Sequence, residues 1–432
     1  MMTAASHSPL PRPALYLILS RGVGGLGATL TAFGLDVWVF QKTGSYAIFA
    51  SLALLATLPS LLFAPLAGVI ADRYDKRRVL LACDLVSLLS VLTALAFHQF
   101  ERLTVPIVAL TIVGLSISSS VRWTVMGPIV TLSVPREQLS RANGLLQTFQ
   151  GATAIFGPIL AAGGLSVLGL GLLLGLNVLT YVFVVGVLAA LWLRLPLPQR
   201  NKAERTFHSF AEEITFGFRW VWRNEGLRRL LVFFMLLNIG LSIMVAAMAP
   251  YVLSFSSGSV LGIALGAQGT GAMLMGAIIA RRGIPPGREE AAVLWGATTF
   301  GIFMVAWGIS RDAITLSAVA FAFGALTSIV MASSQTIWQS HVPAEVQGKV
   351  FAVRMMTSFG LTPLAILVSI PLSVSVFGPL LSTSQILQSV WGSGQTGTLG
   401  LMVSVLGLAI VTGGVGVWAG GGIRVARAAA VR

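Results

Sequence analysis

Long intervals without Asp, Glu, Lys or Arg divide this chain, and their lengths leave few folds open. A helix needs roughly 20 apolar residues to cross about 30 Å of hydrocarbon. Residues 43–71 and 103–121 are long enough for one span each. Residues 142–193, 230–280 and 355–423, of 52, 51 and 69 residues, hold two each, and 291–310 and 313–344 add one apiece. Two further spans carry a charge: one from about Leu15 to Phe40 across Asp36, the other from about Val79 to Phe97 with Asp84 near its start. The double windows are expected to reverse at GLGLLLG (169–175), SFSSGS (254–259) and GSGQTG (392–397), where glycine and serine supply the turns. The chain therefore reads as an all-α polytopic membrane protein with twelve transmembrane helices. Composition agrees, since 56% hydrophobic and 10% charged residues, with a mean hydropathy of +0.88, do not clothe soluble domains.

The net charge of +14 has an asymmetric distribution. With a cytoplasmic amino terminus, 24 of the 28 basic residues fall in inner segments, Arg122 and Arg354 among them; Arg21 lies within the first span and only Lys42, Arg102 and Arg311 lie outside. That bias predicts both termini inside, in a cell membrane such as a bacterial inner membrane, and argues against a nucleic-acid partner. MMTAASHSPLPRP at the start contains no short apolar segment before a small-residue cleavage site, so the first apolar stretch is expected to stay as a span. Lone Cys83 and scattered His7, His98, His208 and His341 offer no metal-ligand spacing, and no cofactor is expected. No G-x-S-x-G, H-E-x-x-H or G-x-x-x-x-G-K-[S/T] occurs, and the acidic DRYD is followed at once by Lys76, Arg77 and Arg78. An enzyme is not expected, and with no ATP-binding domain an ion or substrate gradient must drive any transport.

An internal repeat divides the spans into two sets of six. VPREQLSR (134–141) and VPAEVQGK (342–349) share V-P-x-E-x-x-x-[R/K] at an offset of 208, and the same offset relates Gly68 to Gly276, Arg73 to Arg281 and Arg21 to Arg229. Two pseudo-symmetric bundles, 14–194 and 229–421, are expected, with tails at 1–13 and 422–432 and with a site between duplicated halves as in secondary transporters. The linker, 195–228, places Phe207, Phe210, Ile214, Phe218 and Val221 at helical spacing. It reads as an amphipathic helix on the inner membrane surface, or as a plain tether.

Between the second and third spans stands GVIADRYDKRR, Gly68 to Arg78. A small residue for close packing, an acid placed for a neighbouring helix's positive end, and a basic anchor explain its residue types. The sequence here resembles the major facilitator superfamily, whose signature G-x-x-x-D-R-x-G-[R/K]-[R/K]-[R/K] is matched by Gly68, Asp72, Arg73, Lys76, Arg77 and Arg78. The resemblance implies an inner gate in which Asp72 lies near the start of the eleventh helix. Asp75 replaces the signature's second glycine; because aspartate tolerates the left-handed conformation, the turn is expected to keep it. FGLDVWVFQKTGS, FAPLAGVIADRYDKRR, VPREQLSRANGLLQ and VPAEVQGKVFAVR together resemble the exporter branch that contains macrolide and siderophore efflux proteins. GPILAAGG, with Gly157, Pro158, Gly163 and Gly164, resembles the antiporter signature GPxxGG with two residues inserted; a packing kink is the alternative.

Ionisable groups in hydrocarbon are costly and draw functional suspicion. Asp36, the one charge between Gly22 and Lys42, is the candidate proton carrier, with an interfacial aspartate beside Lys42 as the alternative. Arg122 resembles the family's helix-four arginine associated with proton coupling, although the expected Gln-Gly does not follow, and a surface anchor is the alternative. Pairing or snorkelling explains Arg21 and Asp84. Asn238, Gln268 and Gln335 are candidates to line a cavity, with interhelical hydrogen bonds as the alternative. So few charges predict an apolar cavity and a small lipophilic or amphipathic cargo, exported in exchange for protons by a monomer in the lipid bilayer. A facilitator, uptake or lipid transporter of the same fold, and a transport-inactive sensor or partner protein, are the alternatives.

Overall fold

The computed structural model describes residues 9–195 and 210–419; the tails and most of the linker, including Phe207, lie outside the described residues. Helices follow one another with no strand among those residues. They are α1 (Arg12–Thr43), α2 (Tyr46–Arg73), α3 (Lys76–Gln99), α4 (Val105–Ser133) and α5 (Leu139–Leu191). The short linker helix α6 (Phe210–Arg223) precedes α7 (Glu225–Leu253), α8 (Gly258–Arg282), α9 (Glu289–Ile309) and α10 (Ala313–His341). Last come α11 (Gln347–Phe359), α12 (Thr362–Pro371), α13 (Gly378–Ser382), α14 (Gln385–Trp391) and α15 (Gly394–Ala419).

Eleven stretches among the described residues are long and apolar enough to cross a membrane. The remaining expected span is the first limb of α5, which Gly169 separates from the second. Gly169 takes φ 73°, ψ 168°, a conformation that costs a residue with a Cβ dearly, and the helix direction reverses there. Register shows the reversal. Gly25 faces Thr153, and Gly157 packs on Thr29, so the first limb runs parallel to α1. Asn177 and Thr180 face Gly27 whereas Val184 faces Gly24, so the second limb runs antiparallel. The expected turn over 169–175 thus contracts to one residue.

Two helices outrun their charge-free windows furthest. α4 continues twelve residues past the window's end at Val121, through Arg122, and α11 begins at Gln347 and contains Lys349 and Arg354. Arg354 is only 6% exposed, and Arg122 is part of a buried cluster, so neither belongs to an inner loop where the charge tally had placed it. Windows stop at charges whether or not a partner makes them tolerable inside a helix. Similarly, the last window yields more than two plain helices, because α11 and α12 are separated at Gly360–Leu361 and a π-helical turn over Leu372–Phe377 precedes α13.

The duplication is visible in the element bounds. Displaced by 208, the bounds of α4 become those of α10, and Leu139 at the start of α5 becomes Gln347 at the start of α11. The chain forms two compact units, which cut across the sequence halves at two places. The first takes the described residues of Met1–Ala142, Ala152–Val221 and Val342–Met356; the second those of Asn143–Gly151, Trp222–His341 and Thr357–Arg432. In the first unit the start of α11 packs on α2 and α4, with Phe351 against Gly127 and Gln347 Oε1 3.2 Å from Thr131 Oγ1. In the second, the start of α5 packs on α8 and α10: Asn143 Nδ2 donates to Thr336 Oγ1 (3.0 Å) and Gln339 Oε1 (2.9 Å), and Gly276 seats against the Thr148 backbone.

Within the first unit two apolar clusters are stacked along the helix axes. Leu17, Leu80, Val125 and Leu188 centre the one nearer the α2–α3 loop; Leu35, Val91, Ile112 and Leu174 centre the other. Between their levels α4 reads Ser116, Ser118, Ser120, and Ser116 and Ser120 donate to the α2 carbonyls of Ala56 (2.8 Å) and Ser60 (2.7 Å). The second unit holds glycine-mediated crossings: a Cβ on Gly301 would lie 2.6 Å from the carbonyl oxygen of Gly407, so α9 and α15 approach at backbone distance.

Candidate functional site

Three helices of the first unit bring charges to one depth. Arg21 is nine residues from the start of α1, Asp84 eight from the start of α3 and Arg122 eleven from the end of α4. At 1.5 Å per residue all three lie roughly 12–17 Å from the helix ends at the α2–α3 loop. They meet there. Arg21 donates in bidentate fashion to Asp84, Nη1 to Oδ1 at 2.7 Å and Nη2 to Oδ2 at 2.8 Å. Arg122 Nε lies 3.2 Å from Asp84 Oδ1, its Nη2 donates to Ser87 Oγ (2.8 Å), and its guanidinium stands 6.0 Å from the Tyr181 ring centre. The Asp84 side chain is fully buried, while those of Arg21 and Arg122 are 9% and 19% exposed. Pairing thus accounts for Arg21 and Asp84, whereas Arg122 sits in the same cluster instead of at a membrane surface. Two cations on one carboxylate leave a net charge of +1.

Asp36 lies elsewhere on the same helix. Arg21, Gly25, Thr29, Ala32 and Asp36 follow one another at steps of three and four, forming a stripe of polar and small residues on α1, away from the exposed Tyr16, Leu19 and Val23. Asp36 is half-buried and has no hydrogen-bond or ion-pair partner among the described residues. Lys42, the neighbour considered as its surface companion, stands over the Trp38 ring at 5.9 Å.

The loop motif is built around the start of α11. Asp72 Oδ1 accepts from Gly348 N (2.9 Å) and Oδ2 from Lys349 N (2.8 Å), with Lys349 Nζ 3.9 Å away. A Cβ on Gly68 would lie 2.6 Å from Ala352 Cβ and 3.0 Å from the Gly348 carbonyl, so only glycine fits this crossing without displacement. The linker helix joins the same place: Gly217 packs on the Lys349 carbonyl and Val353, and the Phe216 ring centre is 6.0 Å from Lys349 Nζ. Arg73 and Arg78 are exposed, Lys76 is buried, and Arg77 donates to the Trp192 carbonyl (2.5 Å) while standing over its ring.

Asp75 corrects the expectation of a left-handed turn. Its φ is −56° and ψ 117°, and its carboxylate caps α3 by accepting from Arg77 N at 2.8 Å. Since α3 begins at the next residue, the position needs an acceptor rather than a positive φ. Partial burial pushes this carboxyl up, but the hydrogen bonds and charge of Arg77 outweigh it and hold it below the ordinary carboxylate range. A depressed carboxyl stabilises the fold above its unfolded value of about 3.9 and loses that contribution as pH falls through the lower folded value. Asp75→Ala is therefore expected to cost about 1 kcal/mol at neutral pH. Thermal unfolding in detergent checks it: the two proteins should converge only below about pH 3.9.

The other candidates are dispersed. Gly157 packs on Thr29, Gly164 on Leu173, and Pro158 and Gly163 lie in unbroken helix. Asn238 is buried and donates to its own helix at the Phe234 carbonyl (2.8 Å), while Gln268 and Gln335 are half-buried in α8 and α10. These three belong to the second unit, the charged cluster to the first. Two further buried asparagines stand out: Asn143 of the second unit, described above, and Asn177 of the first, which donates to Thr31 Oγ1 at 2.6 Å. Their signal was available, as amides inside apolar windows.

The profile described as Major Facilitator Superfamily matches residues 17–365. Macrolide efflux protein A of Streptococcus pyogenes is 29% identical over 197 residues, which are 45% of this chain and 47% of that protein. The match thus spans about half the length of that relative. Multidrug efflux pump Tap of Mycolicibacterium fortuitum is 25% identical over 387 residues, covering 86% of this chain and 91% of that one. Among solved structures, a bacterial homologue of the iron transporter ferroportin in an outward-facing state superposes with a TM-score of 0.68 at 15% identity, over 94% of this chain and 99% of the other. At that identity the likeness speaks for the fold alone.

Proposed function

The chain belongs to the major facilitator superfamily, a family of carriers rather than enzymes, and from that premise we propose that it exports small amphipathic compounds in exchange for protons. The observation that carries the reading is Asp36, a carboxyl in a membrane-spanning helix, half-buried, unpartnered among the described residues and on the stripe of α1 that begins at Arg21. A group placed so is free to take up a proton on one side and release it on the other as the helix is alternately exposed. The efflux names of the macrolide and Tap relatives support outward transport, and the basic bias of the loop-motif end supports a cytoplasmic placement of that end. Asp72, gripping the start of α11, acts in this reading as the latch of the cytoplasmic end.

Inside-out membrane vesicles carrying an imposed pH gradient test the proposal with a panel of amphipathic compounds, macrolides included. The wild type is expected to dissipate the gradient on addition of a cargo and to accumulate it. Asp36→Asn is expected to abolish both while leaving slow downhill movement. Unchanged coupling in that variant eliminates Asp36 as the proton carrier, and accumulation-free movement without any gradient makes the protein a facilitator instead.

A further inference from the structure

The charge of the first unit bears on the cargo itself. Arg21, Asp84 and Arg122 hold one excess positive charge roughly 12–17 Å inside the helix ends, where an uncompensated guanidinium is costly. Among the described residues neither Arg21 nor Arg122 pairs with any acid but Asp84. Asp36 is fifteen residues along α1 from Arg21, about 22 Å at helical rise. Asp72 is occupied by the Gly348 and Lys349 amides and Asp75 by Arg77, while Glu101 and Glu137 are exposed outside the helices that hold the cluster. Arg354, 5.9 Å from the ring of Trp123, the residue after Arg122, is a base and supplies no counter-charge.

The geometry shows where a counter-anion would sit. Nε and Nη2 of Arg122 face Asp84 and Ser87, whereas Nη1 donates to no group among the described residues. Arg122 is also the accessible member of the cluster, 19% exposed against none for Asp84. Ser119, three residues earlier and thus on the same face of α4, is exposed. An exposed serine above a half-buried arginine suits a hydrated passage rather than hydrocarbon. Tyr181 backs the guanidinium, Ser87 accepts from its Nη2 and Asp84 lies in ion-pair contact at 3.2 Å from Nε, which leaves Nη1 directed to an oxyanion.

We infer that Arg122 binds the anionic group of the cargo, so that the transported compounds are amphipathic oxyanions: carboxylates, sulfonates or phosphates on an apolar body. This rests on the export reading and names its substrate class. The anion has two sources, a soluble amphipathic acid or the headgroup of a single-chain lipid, and the test separates them.

Equilibrium binding to the purified full chain in an uncharged maltoside detergent uses three probes with matched tails: dodecanoate, lauroyl-lysophosphatidylglycerol and dodecyltrimethylammonium. Wild type is expected to bind at least one of the anions about tenfold or more tighter than the cation, the scale of a charge-assisted hydrogen bond. Preference for dodecanoate alone identifies a soluble acid, and preference for the lysolipid alone a lipid headgroup. Arg122→Gln should erase the preference and Arg122→Lys should keep it within a few-fold. Arg21→Gln, which leaves a neutral Asp84–Arg122 pair, should erase it too. Should the glutamine variants fail to fold, the wild-type preference and its retention in Arg122→Lys still decide. A cation bound as tightly as both anions by wild type, or an anion preference untouched in folded Arg122→Gln, overturns the inference. Because no gradient is involved, anion binding without proton-linked export would sink the export reading and leave Arg122 standing as an anion site.

Discussion

Asp84→Asn is expected to cost about 3–5 kcal/mol, the largest loss from any single substitution in the first unit, because it strands two guanidinium groups inside the helix bundle. The present arrangement is tolerable only through the carboxylate. Asp84 receives both terminal nitrogens of Arg21 and lies against Nε of Arg122, and its side chain is wholly buried. Asparagine fits the space but supplies one neutral acceptor to two cations. Arg21→Gln is expected to be milder, about 1–3 kcal/mol, since it leaves the Asp84–Arg122 pair neutral and paired. Adding Arg21→Gln to Asp84→Asn should therefore recover part of the loss, because only one cation is then left without its acid. Thermal unfolding of the purified proteins in detergent gives the ranking. Near-wild-type stability of Asp84→Asn, with Arg21→Gln the worse of the two, would show that the carboxylate is not the hub of the cluster.

That cluster also marks the limit of what composition and spacing reveal. Spans were legible wherever a charge-free interval was long enough, since the hydrocarbon thickness sets a length that few other constraints imitate. The reversal at Gly169 was legible to within a few residues, because a glycine-rich stretch in a double window has one structural use. The loop motif was legible as well, and Asp72 stands at the start of α11 where the resemblance implied. Charges inside helices were not legible, and Arg122 shows why: a window that ends at an arginine cannot know that an aspartate on another helix lies at the same depth. Counting residues from each helix end does align Arg21, Asp84 and Arg122, but only once those ends are known. Asp75 failed for a local reason, because the turn was read from the signature's glycine when the start of α3 required a cap.

Asp72→Asn is expected to release the start of α11. Two backbone N–H groups at the amino end of that helix point at the carboxylate, and the positive end of the helix dipole adds to the attraction. The asparagine amide keeps one acceptor and turns its own N–H groups toward a donor, a loss of about 2–3 kcal/mol that converts to roughly 30- to 150-fold in the opened population. Met355→Cys, in a Cys83→Ala background, reports the opening. Met355 is half-buried and faces Ser120 of α4 at 3.9 Å, so a cysteine there is expected to react slowly with maleimide while α11 lies on α4 and faster when it parts from it. Labelling should accelerate by about that factor in Asp72→Asn. Gly68→Val should act the same way by a different force, since its added atoms collide with Ala352 and the Gly348 carbonyl while the carboxylate remains. If neither substitution changes the labelling rate, the contact is packing and not a latch. The repeat sharpens the test. At the position 208 residues beyond Asp72 stands Ala280, so the start of α5 meets α8 there through Gly144 and without a carboxylate, while the neighbouring Asn143 bonds to Thr336 and Gln339 of α10. Neutral amide and hydroxyl bonds are roughly half as strong as charge-assisted ones. Raised salt and Asp72→Asn should therefore loosen the α2–α11 contact and leave the α8–α5 contact as it is, which makes the charged contact the one a gradient or an anion can act upon.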